Sequence, residues 1–577
     1  MTLRVVHLLS STLAKNCMIS HSLPGRFPRK NPTRRLRAFL LGLFAAGMTA
    51  LPLKAAEEIE FVYTPLVFSV SVASLETFAK EGKIDANLKR FLARATPEAR
   101  EQFREALLTK IDIDPVLLSR FFNTVMGADM LSRLGKGITI QGGINGKYAL
   151  RGAIVSAAFE PGGLTLLNVL KKFPNNIQLQ GEEILGLAKT IDYAVYVAEI
   201  FIKDMRLWTA EEAAAVKPAI NYASLPDLRQ RGSFQVKKEV WNLTDSSRNR
   251  SLYVNVYIPQ TFREGKTPVI IFSHGLASRP EDYAQAIEHL ASYGFLVAAP
   301  QHPGSDIKYL QGMLGGYYRN IFDGNEFINR PKDISFVIDE LARRNASQFQ
   351  GKLNLTNVGV AGHSFGGYTS LAVAGAQIDF DNLAQDCNRP YSGINIAILL
   401  ECRALELPRK VYNFRDERVT AVFAANPVNR SIFGEKGLSK ISIPVLLGSG
   451  SYDPAANPIF EQAIPFTWLK TPDKYLAMVE GQAHVNFTEL DAGMQKTLES
   501  VVDITLPNQN LIEDYTGALL VSFFEVYIAD NEKFRPFLRS SYAEYLSQGQ
   551  KFKLDFITAA SDQKLSQLIE KLRARRQ

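Results

Sequence analysis

Val358-Gly359-Val360-Ala361-Gly362-His363-Ser364-Phe365-Gly366-Gly367 decides how the rest of this chain is read. Four small or β-branched apolar residues form a strand, the strand runs directly into Gly-x-Ser-x-Gly, and a helix-forming stretch from Tyr368 to Ala374 follows. A chain that reverses this tightly from strand to helix has no room for side chains at Gly362 and Gly366. It also holds Ser364 up in a strained, exposed position, the arrangement called a nucleophile elbow.

Working outward, short β-type runs alternate with helical stretches on both sides of the elbow, the signature of βαβ units in a mostly parallel sheet. Strands are expected over 252–258, 268–273, 295–300, 357–362, 419–426, 444–448 and 474–479, with helices such as 281–293 and 332–344 between them. Val269-Ile270-Ile271-Phe272 and Val445-Leu446-Leu447 are near-continuous apolar runs, as strands covered by helices on both faces should be. The fold class read from this pattern is α/β: an α/β-hydrolase fold, a mostly parallel sheet flanked by helices, preceded by a small mainly helical domain.

A serine hydroxyl is a poor nucleophile until a neighbouring base takes its proton. The chain has seven histidines, His7, His21, His274, His289, His302, His363 and His484. In this fold the chain order is serine, acid, histidine, and only His484 follows Ser364. The acid must lie between them and leave a strand end, so that it can orient the imidazole. Asp453 does so, past the apolar run 444–448 and a small-residue loop; Asp416 precedes its strand, and Asp473 and Glu480 flank the next one. Two backbone amides should face the developing oxyanion: that of Phe365 after the nucleophile, and that of Leu276 in the loop His274-Gly275-Leu276-Ala277. His274, Gly275, Gly362, His363 and Gly366 are expected to support these groups, the two histidines by hydrogen bonding rather than as bases.

Phe272-Ser273-His274-Gly275-Leu276, Gly362-His363-Ser364-Phe365-Gly366-Gly367, Asp453 and Ala483-His484-Val485-Asn486-Phe487 together resemble the platelet-activating-factor acetylhydrolase group of serine esterases, over about residues 230–530. Upstream, Glu57-Glu58-Ile59-Glu60-Phe61 and residues 163–170 are similar to a helical domain of unknown function that precedes such hydrolases in cyanobacteria. The first resemblance implies hydrolysis of an ester such as a 1-alkyl-2-acetylglycerophosphocholine.

The chain's 577 residues exceed one compact core, and its 46% hydrophobic and 21% charged composition is that of a globular protein. Four segments are expected: a leader over 1–56, a helical accessory domain over 57–217, the catalytic domain over 230–535, and a C-terminal helical tail over 536–577. In the accessory region, Thr96-Pro97 and Asp114-Pro115 place capping side chains before helices over 99–108 and 116–130.

The net charge of +8 sits in the leader, whose nine basic and no acidic residues leave the remainder at −1. This removes the electrostatic case for a nucleic-acid partner, although Lys571, Arg573, Arg575 and Arg576 form a small basic patch in the last helix. Basic residues ending in Arg34-Arg35-Leu36-Arg37, followed by an apolar run over 38–53, read as an export signal. An uncleaved N-terminal anchor is the alternative, and Met18 is a second candidate start. With Cys17 in the leader, Cys387 and Cys402 remain as a pair that an oxidising compartment would join, two free thiols being the other reading.

No spacing suggests a metal site, and no cofactor is required. The stretches 304–329 and 377–418 break the strand-helix alternation at the catalytic edge and are expected to form a substrate pocket or lid. Their apolar and aromatic residues suit a small-molecule or lipid ester, with peripheral membrane contact as a further possibility. A binding or assembly protein on a hydrolase scaffold and an acyltransferase are the alternatives.

Overall fold

A computed structural model describes residues 55–484 and 507–576. The expected leader up to residue 54, with Cys17, and Val485-Asn486-Phe487 lie outside them. The described residues divide into two compact units, one of 55–119 with 131–188, the other of 120–130 with 189–484 and 507–576.

The first unit is mainly helical, and both anticipated caps are present. Thr96 accepts from the amide of Ala99 at the start of Pro97–Leu108, and Asp114 Oδ1 accepts from that of Leu117 at 2.7 Å. The unit also holds a five-stranded sheet that the periodicity did not reveal: β1 (Glu58–Tyr63), β2 (Leu66–Ser71), β3 (Ile138–Ile140), β4 (Ile144–Asn145) and β5 (Ile177–Gln180), in the order β2-β1-β5-β3-β4. Three of these strands have four residues or fewer, too short for an alternation to stand out.

The helix expected over 116–130 is two helices, Pro115–Asn123 and Val125–Leu134. Thr124 separates them and caps the second, its hydroxyl accepting from the amide of Gly127 at 3.0 Å. A Cβ on Gly127 would lie 2.1 Å from the carbonyl oxygen of Phe121, so this tight junction needs glycine.

The second unit is built on a nine-stranded sheet: β6 (Val236–Asp245), β7 (Arg250–Pro259), β8 (Thr267–Ser273), β9 (Leu296–Pro300), β10 (Leu353–His363), β11 (Val419–Ala425), β12 (Val445–Gly450), β13 (Lys474–Val479) and β14 (Leu554–Thr558). Their order is β14-β13-β12-β11-β10-β8-β9-β7-β6. The six strands β8 to β13 are parallel, and β14, β7 and β6 add antiparallel edges. Because successive strand residues face opposite sides, two cores form. Val269, Ile271, Val360, Val445 and Leu447 join one, with helices Glu326–Gln348, Phe365–Val373 and Asp562–Arg576. Ile270, Phe272, Ala361 and Leu446 join the other, with Ala284–Ser292 and Gln509–Tyr527.

All seven expected strands are present, but three boundaries change. Helix Gly181–Ala215 does not end the accessory region: its residues from 189 belong to the second unit, where Val197, Phe201, Met205 and Trp208 are buried in the core. The expected helical tail supplies strand β14, which pairs with β13 and closes that edge. The helix expected from 332 begins at Glu326 and runs through Pro331. Proline has no N–H for the carbonyl of Phe327 four residues earlier, and the Tyr368 hydroxyl donates to that carbonyl instead at 2.8 Å.

Deleting residues 551–577 removes β14 and the buried Leu565, Ile569 and Leu572. Each such side chain contributes about 1.5–3 kcal/mol by burial, against a total stability of about 5–15 kcal/mol. The truncated chain is expected to aggregate and to show no cooperative urea transition; a soluble product with the wild-type transition would contradict this placement of the tail.

Candidate active site

The elbow stands between β10 and helix Phe365–Val373, with Ser364 at φ 57° and ψ −117°. Its glycines are required by contact. A Cβ on Gly362 would meet the Gly366 carbonyl oxygen at 2.2 Å, and one on Gly366 would meet that of Ser273 at 2.0 Å. Ser364 N–H donates to the carbonyl of Ala425 at 2.9 Å, which ties the turn to β11.

Around Ser364 the structure brings together the residues singled out from the sequence. Ser364 Oγ lies 2.8 Å from His484 Nε2, and His484 Nδ1 lies 2.7 Å from Asp453 Oδ2. The Asp453 side chain is fully buried, and Oδ1 accepts from the amides of Ala455 and Ala456 at 2.8 and 2.7 Å. Oδ2 also accepts from the side-chain amide of Asn426, a residue that the sequence reading missed. Asn426 follows β11 directly with φ 44°, a conformation asparagine tolerates better than most residues.

His363 and His274 are held by hydrogen bonds on both ring nitrogens. His363 Nε2–H donates to the His484 carbonyl at 2.8 Å, since a carbonyl can only accept, so Nδ1 accepts from the Tyr283 hydroxyl at 2.9 Å. The same hydroxyl accepts from the amide of Gly275 at 3.2 Å. Tyr283, another residue the sequence reading passed over, thus links the His274-Gly275-Leu276 loop to the backbone of His484. His274 Nδ1–H donates to the Gly275 carbonyl at 2.7 Å, and its Nε2 accepts from the amide of His302 at 3.0 Å.

Beneath the loop lies a buried ionic cluster. Arg330, fully buried, donates to the carbonyls of His274 and Gly275 at 2.6 and 3.1 Å and to Ser305 Oγ at 2.8 Å. Arg250 binds both Glu326 and Asp333, Arg248 binds Asp245 and Asp333, and His302 Nδ1–H donates to Asp333 at 2.9 Å. Three guanidinium groups therefore face three carboxylates. Only Pro331 beside it marked Arg330 in the sequence, and that proline hid the start of its helix.

The stretch 304–329 contains helix Ile307–Gly315, capped by Asp306, and a stacked Tyr309–Tyr318 pair with ring centres 4.1 Å apart. Phe322 is buried with its ring 5.5 Å from that of Phe365. Asn320 Oδ1 accepts from the amide of Val125 at 3.1 Å, bringing the segment 120–130 against this stretch. In the stretch 377–418, Cys387 and Cys402 form a disulfide between helix Phe380–Asn388 and the turn that follows Ala397–Glu401.

Burial, and next the nearby His484, lower the pKa of His363 from 6.5 to about 3. Below pH 6.5 the unfolded chain takes up a proton that the folded chain refuses until about pH 3, so acidification through that window weakens the fold by about 1.4 kcal/mol per pH unit. Glutamine at this position does not titrate. The stability advantage of wild type over His363→Gln is therefore expected to shrink by about 2 kcal/mol between pH 7 and pH 5 in urea melts; an unchanged gap would contradict the assigned neutral imidazole.

Two family models match the chain: an α/β hydrolase family of unknown function over residues 55–180, and chlorophyllase over residues 225–386. A search of curated proteins finds no match. The chlorophyllase match includes the Leu276 loop and the Ser364 elbow and ends before Asp453. The two matches do not single out the platelet-activating-factor acetylhydrolase group that the motifs resemble; what they share with the nine-stranded sheet is the α/β-hydrolase superfamily, to which this chain belongs.

Proposed function

We infer that the protein is a serine hydrolase that cleaves carboxylic esters through an acyl-enzyme. The observation that carries this reading is the unbroken hydrogen-bonded line Ser364 Oγ, His484, Asp453, at 2.8 and 2.7 Å. Membership of the superfamily points to hydrolysis, and the match to chlorophyllase, a serine-esterase family, supports an ester as the bond cleaved.

In the proposed reaction, His484 Nε2 takes the Ser364 proton as Oγ attacks the ester carbonyl. Asp453 stabilises the imidazolium and keeps Nδ1–H directed at itself. The amides of Leu276 and Phe365 receive the oxyanion, and among the described residues neither has an acceptor within the protein. His484 returns the proton to the leaving alkoxide. Water then repeats the sequence on the acyl-enzyme, releasing the acid and restoring Ser364.

The apolar and aromatic stretch 304–329 favours an uncharged acyl group, and its contact with residues 120–130 gives an upstream segment a part in shaping the substrate side. The disulfide and the basic-apolar leader support export to an oxidising compartment.

Turnover of p-nitrophenyl esters from acetate to decanoate tests the reading. Ser364→Ala is expected to lower kcat by about 10⁴-fold or more, and Asp453→Asn by about 10⁴-fold. Equal rates for wild type and Ser364→Ala would sink it.

A further inference from the structure

The two amides assigned to the oxyanion site come from distant parts of the chain, Leu276 after β8 and Phe365 after β10. Something must hold both in register, because an oxyanion donor acts only if it is aimed before the charge develops.

One buried side chain touches both segments. The edge of the Arg330 guanidinium donates to the carbonyls of His274 and Gly275. Its Cζ lies over the Phe365 ring, 4.4 Å from the ring centre. The peptide between Gly275 and Leu276 is trans, so its C=O and N–H point in opposite directions. Holding the Gly275 carbonyl toward Arg330 therefore turns the Leu276 N–H away from the ionic cluster. His274 Nδ1–H donates to the same carbonyl and fixes the same orientation.

The guanidinium is itself held. Nε donates to Ser305 Oγ, and Ser305 donates to Glu326 Oε2 at 3.0 Å. The Ser305 carbonyl accepts from the amide of Ala277 at 2.8 Å, anchoring the far end of the loop.

We propose that Arg330 is the positioning residue of the oxyanion site, a two-pronged clamp on the His274-Gly275 carbonyls that also packs on the Phe365 ring. The proposal rests on the serine-hydrolase reading. It requires a planar fork rather than a positive charge alone: lysine reaches one carbonyl as a point charge and cannot reproduce both bonds together with the ring contact.

The test compares wild type with Arg330→Lys, Arg330→Met, Ser305→Ala and, as a control, Arg343→Met, an exposed arginine of the same helix. kcat and KM are measured on a p-nitrophenyl ester, with inhibition by a trifluoromethyl ketone that mimics the tetrahedral intermediate. Arg330→Lys and Arg330→Met are expected to lose about 10²-fold in kcat, with KM within about 2-fold and a parallel weakening of the inhibitor. Ser305→Ala, a milder loosening that keeps the test alive if the arginine variants do not fold, should lose about 3- to 10-fold in kcat. Arg343→Met should match wild type.

Full activity in Arg330→Lys, or an unchanged kcat and inhibitor affinity in Ser305→Ala, would overturn the clamp. A wild-type protein that neither turns over esters nor binds the ketone would instead overturn the hydrolase reading.

Discussion

A serine at φ 57° and ψ −117° is held in sparsely populated backbone space, and the rest of the site depends on the fold enforcing that turn. Such a residue costs about 1–3 kcal/mol. The cost is offset by the position of β10 at the centre of the sheet, with β8 and β11 paired on either side. Gly362 and Gly366 permit the close packing, and the Ala425 carbonyl holds the Ser364 amide. With the elbow fixed, Oγ meets a histidine that must be delivered from the end of β13, two strands beyond β11, and the remaining polar groups serve that delivery.

Those groups form two layers. The nearer layer runs from Gly275 through Tyr283 and His363 to the backbone of His484, and from Asn426 to Asp453. The deeper layer is the buried cluster of three arginines and three carboxylates under the Leu276 loop. Burying charges is expensive, and a balanced cluster with its hydrogen bonds made is the form in which it is tolerated. A cluster of this kind is weak evidence for stability; its orientation toward the loop carbonyls ties it to the geometry of the site instead.

The parallel centre of the sheet was legible because strands covered on both faces write long apolar runs, as at 269–272 and 445–447. Its edges were not. β6 mixes lysine and glutamate with tryptophan on a half-exposed strand, and β14 is five residues long among helical signals. The small sheet of the first unit was lost for the same reason. Ser364, Asp453 and His484 could be picked out by chain order and strand ends, since their chemistry demands particular residue types. Asn426 and Tyr283 act on side chains 27 and 80 residues away and Arg330 on backbone carbonyls 56 and 55 residues away, and no local pattern marks such contacts.

The most direct test of the central claim, that Ser364 is a nucleophile activated by His484, is covalent labelling with a fluorophosphonate followed by peptide mass mapping. One label per chain on the peptide containing Ser364, with labelling slowed by orders of magnitude in His484→Ala, is the result expected. No labelling, labelling at another residue, or an undiminished rate without His484 would contradict it.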